Sequence, residues 1–217
     1  MNKKGKIKTK KISELTIRRL SIYYRTLNVL EKLYRDTLSS KELSEIEGIN
    51  SAQIRKDLSL FGSFGVRGIG YDIQSLKKAL SDILGLNRKW NVVLIGAWQF
   101  SEVLVNSEAL KENNFIITKI FNETSDKINI NDSIMVYDID QLEKRIDPKK
   151  DHIAIIALPP QKVQNIIYRL EKIGIEGVLY FASRAVKTQG NMVVINQDIS
   201  INLGMLTYKI MEKKQAN

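Results

Sequence analysis

The 217-residue chain has no cysteine, which excludes disulfides, thiolate metal sites and cysteine nucleophiles. It has a single histidine, His152, too few for a His-rich zinc site or an i,i+4 ligand pair. Long hydrophobic runs are also missing. The longest, near residues 92–98 and 153–160, fall far short of the ~20 residues that a membrane-spanning helix needs. The first residues are rich in lysine (Lys3, Lys4, Lys6, Lys8, Lys10, Lys11), but no apolar segment follows them, which argues against a secretory signal. Residues 1–11 read as a solvated basic tail able to touch phosphates. The expectation is a soluble protein, most simply a cytoplasmic one, with no membrane partner.

Hydrophobic residues make up 43% of the chain, enough to bury a core. The charge is lopsided. Lys and Arg outnumber Asp and Glu by 18 to 9 over residues 1–88, but only by 16 to 15 over residues 89–217. A basic half joined to a near-neutral half suggests one part that meets a polyanion and another that does something else. The sequence divides into a tail at 1–11, a basic domain at 12–88, a second domain at 89–197 and a terminal helix at 198–217.

Ser13 can cap a helix reaching about Asp36, with Leu15, Leu20, Tyr23, Leu27, Leu30 and Tyr34 as its apolar stripe. Ser39 and Glu42 form a capping box for a short second helix, and Gly48 is placed to end it. Asn50 with Gln53, or Ser51 alone, can cap a third helix through about Leu60. Two short helices joined by a tight turn containing glycine make a helix-turn-helix unit. In the third helix, Ile54, Leu58 and Phe61 should face the core. Ser51 opens the helix, while Gln53, Arg55, Lys56 and Ser59 stay on the outer face, donor-rich and suited to base edges and phosphates in a major groove.

Four glycines then surround Arg67 (Gly62, Gly65, Gly68 and Gly70). They predict a tight hairpin, a wing whose Arg67 can reach a minor groove or a phosphate. This is not a P-loop, since no Gly-Lys-Ser/Thr follows. A fourth helix is predicted over about 74–85, ending at Gly85, with the domain boundary near residues 85–90.

From Asn91 onward strands and helices alternate. The apolar runs are Val92–Ile95, Phe115–Phe121, Ile134–Tyr137, Ile153–Leu158, Val178–Phe181 and Met192–Ile195. Helices are predicted at about 100–112, 140–146 and 161–173. The fold class is therefore α/β: a winged helix-turn-helix domain followed by a doubly wound parallel sheet of the Rossmann kind. A last helix over 198–213 carries a stripe of Ile199, Leu203, Leu206 and Ile210, which on a monomer would be an exposed apolar patch and so predicts a dimer. Asp138 and Asp140 read as caps for the helix that follows them, and His152, opening a strand, as a solvated or hydrogen-bonded edge residue.

The strings Leu20-Ser-Ile-Tyr-Tyr-Arg25-Thr-Leu, Ser51-Ala-Gln-Ile-Arg-Lys-Asp-Leu and Phe61-Gly-Ser-Phe-Gly-Val-Arg-Gly-Ile-Gly-Tyr71, with Lys172-Ile-Gly-Ile-Glu-Gly-Val-Leu-Tyr-Phe-Ala182, resemble the redox-sensing transcriptional repressor Rex family from about Ile12 to Tyr208. The resemblance implies a homodimer with an exchanged C-terminal helix, bound as a repressor to an inverted-repeat operator in double-stranded DNA. It also implies a domain that senses NADH against NAD, NADH closing the dimer and releasing the DNA.

The family's cofactor loop is a Gly-x-Gly-x-x-Gly fingerprint, which here reads Gly96-Ala97-Trp98-Gln99-Phe100-Ser101. Trp98 stands where the second glycine lets backbone approach the pyrophosphate. Ser101 adds bulk where the third permits close helix–strand packing. The family's ribose-binding acid is Asn122 here, and its tyrosine late in the crossover helix aligns with Ser107. Pro159, in Ala157-Leu-Pro-Pro160, and Ala182, in Phe181-Ala-Ser183, keep the family pattern. So do Arg25 and Asp198, a pair that the family forms across its dimer. The expectation is a repressor with a weakened or lost NADH response. A fully responsive sensor is the alternative, and an oxidoreductase or a CoA-binding ligase subunit ranks lower because no catalytic acid–base pair is evident.

Overall fold

The computed structural model describes residues 12–66, 68–96, 98–123 and 134–215, the side chains at 98–100 excepted. The basic tail, Arg67 and Ala97 lie outside the described residues. The chain divides into two compact units, Met1–Arg88 and Lys89–Asn217.

In the first unit, α1 (Glu14–Lys32) starts at Ser13, whose hydroxyl accepts from the Thr16 amide. It stops about four residues before the expected end at Asp36. The Arg35 amide reaches back to the Leu30 carbonyl and the Tyr34 amide to that of Glu31, which closes a Schellman motif with Tyr34 in the left-handed position, φ 56°. As a result, Leu20, Tyr23 and Leu27 are buried, whereas Leu15 and Tyr34, expected on the same stripe, are exposed.

The chain turns into β1 (Thr37–Leu38) and then α2 (Ser40–Glu47), which opens with the complete Ser39–Glu42 capping box and closes at Gly48, φ 66°. The third helix, α3 (Ser51–Ser59), is capped by Asn50. It ends before Phe61, which is only half-buried. The hairpin strands β2 (Gly65–Val66) and β3 (Gly70–Asp72) pair antiparallel, and β1 adds to β3 in the order β1-β3-β2. α4 (Ile73–Leu84) is capped by Asp72 and ends at Gly85. The four helices α1 to α4 and a small antiparallel sheet with a hairpin form the winged helix-turn-helix.

The second unit carries six parallel strands: β4 (Trp90–Gly96), β5 (Phe115–Asn122), β6 (Met135–Asp138), β7 (Asp151–Ala157), β8 (Gly177–Tyr180) and β9 (Val193–Asn196). Their order, β6-β5-β4-β7-β8-β9, is the Rossmann order with its reversal between β4 and β7. Strand β4 is fully buried over Val92–Ile95 because it lies at the centre.

The single crossover helix expected over 100–112 is two helices, α5 (Trp98–Val105) and α6 (Glu108–Glu112). Ser107 breaks the run, because its hydroxyl accepts from the Leu110 amide and starts a new helix. A 3-10 turn (Ile139–Gln141) capped by Asp138 leads into α7 (Leu142–Arg145), which with α8 (Pro160–Ile173) covers one sheet face. α5 packs on the other.

His152 is not an edge residue. Strand β7 lies between β4 and β8, and its Nδ1 accepts from the Asn91 amide at 3.4 Å beside the Trp90 ring. The last helix, α9 (Ile199–Gln215), has no buried residue. Its apolar side chains go beyond the expected stripe: Ile201, Met205, Tyr208 and Met211 are exposed along with Ile199, Leu203, Leu206 and Ile210.

Candidate functional site

Ile54 and Leu58 anchor α3 to the core of the first unit, and Asp57 goes inward with them, 1% exposed. A lone buried carboxylate would be costly, but this one is fully engaged. Arg19 donates from Nε at 2.6 Å and from Nη2 at 2.8 Å, the Tyr23 hydroxyl at 3.0 Å and Gln53 Nε2 at 2.8 Å. Burial alone would raise the Asp57 pKa. The donors outweigh it, Arg19 first, and hold the group below the usual carboxylate range. Tyr23 is pushed well up, by burial and then by its bond to Asp57. The network ties α3 to α1.

On the outer side, Arg55, Lys56 and Ser59 are exposed, and Ser51 is half-buried in the first turn. Arg55 Nη1 donates to Ser40 Oγ at 3.0 Å, and the Ser59 hydroxyl donates to the Lys56 carbonyl at 2.8 Å. Gln53 differs from expectation. It is half-buried, its amide nitrogen already given to Asp57, so it is not a freely swinging donor.

The hairpin flanks this face. Gly70, φ 107°, is obligatory, since a Cβ there would meet the Leu38 carbonyl oxygen at 2.7 Å. Between α3, the hairpin and the start of α2 lies an open cavity of about 520 Å³, lined among others by Arg55, Ser59, Phe64, Val66 and Tyr71. The structure thus brings Ser51, Arg55, Lys56 and Ser59 onto one helix beside the hairpin. Arg67, expected at its tip, lies outside the described residues.

In the second unit, Gly96, Asn122, Pro159 and Ala182 fall at or just past the carboxyl ends of the strands, where a doubly wound sheet holds its ligand. Gly96 ends β4 opposite Ala157, with φ 79°. A Cβ there would strike Leu158 Cδ2 at 2.4 Å and the Ala157 carbonyl at 2.6 Å. Ala97 and the side chains of Trp98, Gln99 and Phe100 lie outside the described residues, but Trp98 opens α5.

Ser101 is 1% exposed, and the space it shares with Gly96, Leu104 and Ala157 is only about 10 Å³. Its expected bulk is therefore absorbed in the helix–sheet crossing. Asn122 ends β5 beside Asp138 of β6, half-buried. The nearest acid in sequence, Glu123, is ion-paired with Lys162 in the first turn of α8. Pro159 caps that helix and is exposed, whereas Ala182, just past β8, is buried.

For a dinucleotide these residues fit in frame and not in detail. The turn glycine and the strand ends are in place, the sequence has Trp98 where the fingerprint has its second glycine, and β5 ends in Asn122 beside Glu123 and Asp138.

Arg25, in the first unit, is 69% exposed on its side chain and 3.7 Å from Glu47. Asp198 accepts from the Ser200 amide at 2.8 Å and from its hydroxyl at 2.6 Å, opening α9. Leu203 and Leu206 are exposed further along that helix. Among the described residues, no group of His, Cys, Asp and Glu could hold a metal, and no helix is long and apolar enough to cross a membrane.

Sequence reasoning missed the roles of Arg19 and Asp57 in the first unit, and of Glu123 and Lys162 in the second. Arg19 and Asp57 lie 38 residues apart and left no local signal. Glu123 and Lys162 lie 39 residues apart and left none.

A family described as "Putative DNA-binding protein N-terminus" matches residues 11–59, and one described as "CoA binding domain" matches residues 87–184. The redox-sensing transcriptional repressor Rex of Carboxydothermus hydrogenoformans is 39% identical over 205 residues, covering 92% of this chain and 97% of the relative. Its namesake in Thermosipho africanus is 36% identical, covering 93% and 97%. Among solved structures, that of RSP in complex with beta-NAD+ and operator DNA is similar with a TM-score of 0.82 at 31% identity, covering 94% of each chain. RSP in complex with beta-NADH is similar with a TM-score of 0.82 at 29% identity, covering 94% of this chain and 97% of the other.

Proposed function

The chain belongs to the Rex family of redox-sensing transcriptional repressors, and from that premise we propose that it acts as a homodimeric repressor on an inverted-repeat operator, with its NADH response weakened or lost. It is a regulator and not an enzyme, as the names of its relatives indicate. The observation that carries the DNA reading is the exposed row Arg55, Lys56 and Ser59 on α3 beside the hairpin, in the unit that holds nearly all the net positive charge. Ser51 and Gln53 complete the proposed base-facing set, with Arg67 in the wing. The similar structure solved with operator DNA supports this use of the unit. Phosphate contacts by the basic residues make binding strongly salt-dependent.

Dimerisation is supported by α9, whose apolar residues are exposed on all sides. A second feature agrees with it: the sheet face over β4, β5, β7, β8 and β9 carries an open apolar groove of about 510 Å³, lined among others by Trp90, Phe115, Ile153, Ile155, Leu179 and Ile195. Both surfaces need cover that a second copy can supply.

The weakened NADH response rests on Trp98 and Asn122. In the fingerprint the second glycine lets backbone amides approach two phosphates, and the sequence has Trp at that position. Replacing the acid by Asn122 exchanges a charge-assisted hydrogen bond for a neutral one, about 1 kcal/mol. A combined loss of about 3 kcal/mol would weaken binding more than a hundredfold.

The intact frame of Gly96, Pro159 and Ala182, together with a similar structure bound to NADH, favours a second reading in which the site still works. Calorimetry with NADH separates the two. Weak or undetectable heat is expected, with affinity partly restored by Trp98→Gly combined with Asn122→Asp. Micromolar or tighter binding by the unaltered chain supports the second reading instead.

A further inference from the structure

Resting on the DNA-binding reading above, we propose that Asp57 is a positioning residue that fixes the Gln53 amide, so that Gln53 reads an exocyclic amino group in the major groove through its Oε1. Adenine N6 or cytosine N4 on the contacted strand would be the partner.

The Asp57 carboxylate is held by the two-pronged donation of Arg19 and by the Tyr23 hydroxyl, so it cannot swing away. An ionised carboxylate only accepts hydrogen bonds. The Gln53 atom 2.8 Å from Oδ1 must therefore be the amide nitrogen. The flipped amide would set two acceptor oxygens against each other at that distance. Gln53 is thus locked in one orientation out of two, with one of its two N–H groups given to Asp57 and its oxygen left over. Among the described residues, no group donates to that oxygen.

Gln53 sits in the first turn of α3, where a recognition helix meets base edges. On the contacted strand, adenine and cytosine present an amino donor to the major groove, and guanine and thymine present carbonyl acceptors. A fixed Oε1 bonds the former and repels the latter. An untethered glutamine could flip and accommodate either, so Asp57 turns an indifferent side chain into a selective one.

The test uses the full chain and an operator selected from random duplex DNA. The position whose preference vanishes in Gln53→Met is the one that Gln53 reads. At that position the unaltered protein should prefer A or C over G or T on one strand by roughly fivefold, the worth of one net hydrogen bond. Deleting the amino group, with purine for adenine or 2-pyrimidinone for cytosine, should cause the same loss, and no loss in Gln53→Met.

Asp57→Asn frees the amide to flip. It should bring that ratio toward one while discrimination at other positions persists; a merely structural Asp57 would weaken every position alike. Should this variant not fold, hydrogen exchange of the Gln53 side-chain amide decides: at least tenfold slowing supports the tether, and a free-glutamine rate refutes it. A preference for G or T, or one that survives in Gln53→Met, overturns the inference while leaving operator binding standing. Selection that yields no operator overturns the DNA-binding reading itself and this inference with it.

Discussion

Arg55 and Lys56 are neighbours on the exposed side of α3, while Ile54, Asp57 and Leu58 hold that helix in place. Charge can therefore be reversed on the outside without disturbing the anchor. Arg55→Glu with Lys56→Glu should abolish operator binding and leave the circular dichroism spectrum and melting temperature close to those of the parent. Retained binding of the same fragment would show that α3 does not face the DNA.

Glu42 offers a second test at this scale. The Ser39 amide, then Arg35 and the Ser39 hydroxyl, lower its pKa to about 2 from an ordinary 4.5. A depressed carboxylate contributes stability above its unfolded pKa and loses that contribution as pH falls through the folded one. The Glu42 share should therefore fade between pH 4.5 and 2. Glu42→Gln keeps the capping geometry but not the charge. Because the side chain is 43% exposed, solvent screens it, and the loss at neutral pH should be only about 0.5 kcal/mol. Urea unfolding of both forms across that pH window checks the sign, since their difference should vanish at the acid end. The sequence made Glu42 and its cap legible because both partners lie within four residues. It did not reveal that Gln53 is tethered, since that depends on Asp57 turning inward to meet Arg19, 38 residues away.

Among the elements, boundaries set by short-range chemistry agree with their sequence signals. Ser13, Ser39, Gly48 and Gly85 all stand where capping and left-handed geometry require them. The end of α1 and the break between α5 and α6 were less legible. Tyr34 takes a left-handed conformation that glycine usually supplies, and Ser107 resembles an ordinary helical serine until its hydroxyl is seen to cap α6. The element with the largest consequence is α9. A 17-residue helix with no buried residue has little to hold it unless another surface covers it. Truncation after Gln197 should convert the dimer to monomer or aggregate in light scattering. An unchanged dimer would move the interface elsewhere.

At the level of the whole molecule, the two units divide along the charge asymmetry read from the sequence: Met1–Arg88 is strongly basic and Lys89–Asn217 nearly neutral. The alternation of apolar runs and helices was enough for the doubly wound sheet, and strand order β6-β5-β4-β7-β8-β9 followed the usual rule for such chains. What the sequence could not weigh was the fingerprint itself. Ser101, expected to disturb packing, is buried with about 10 Å³ of space beside it, so the proposed loss of NADH response rests on Trp98 and Asn122 alone. The central claim is that operator binding persists while its control by NADH is weakened or lost. Titrating NADH, with NAD as the control, into the protein–operator complex while following DNA release by fluorescence anisotropy tests this most directly. The complex should stay intact through micromolar NADH; release in that range by NADH and not by NAD would overturn this reading.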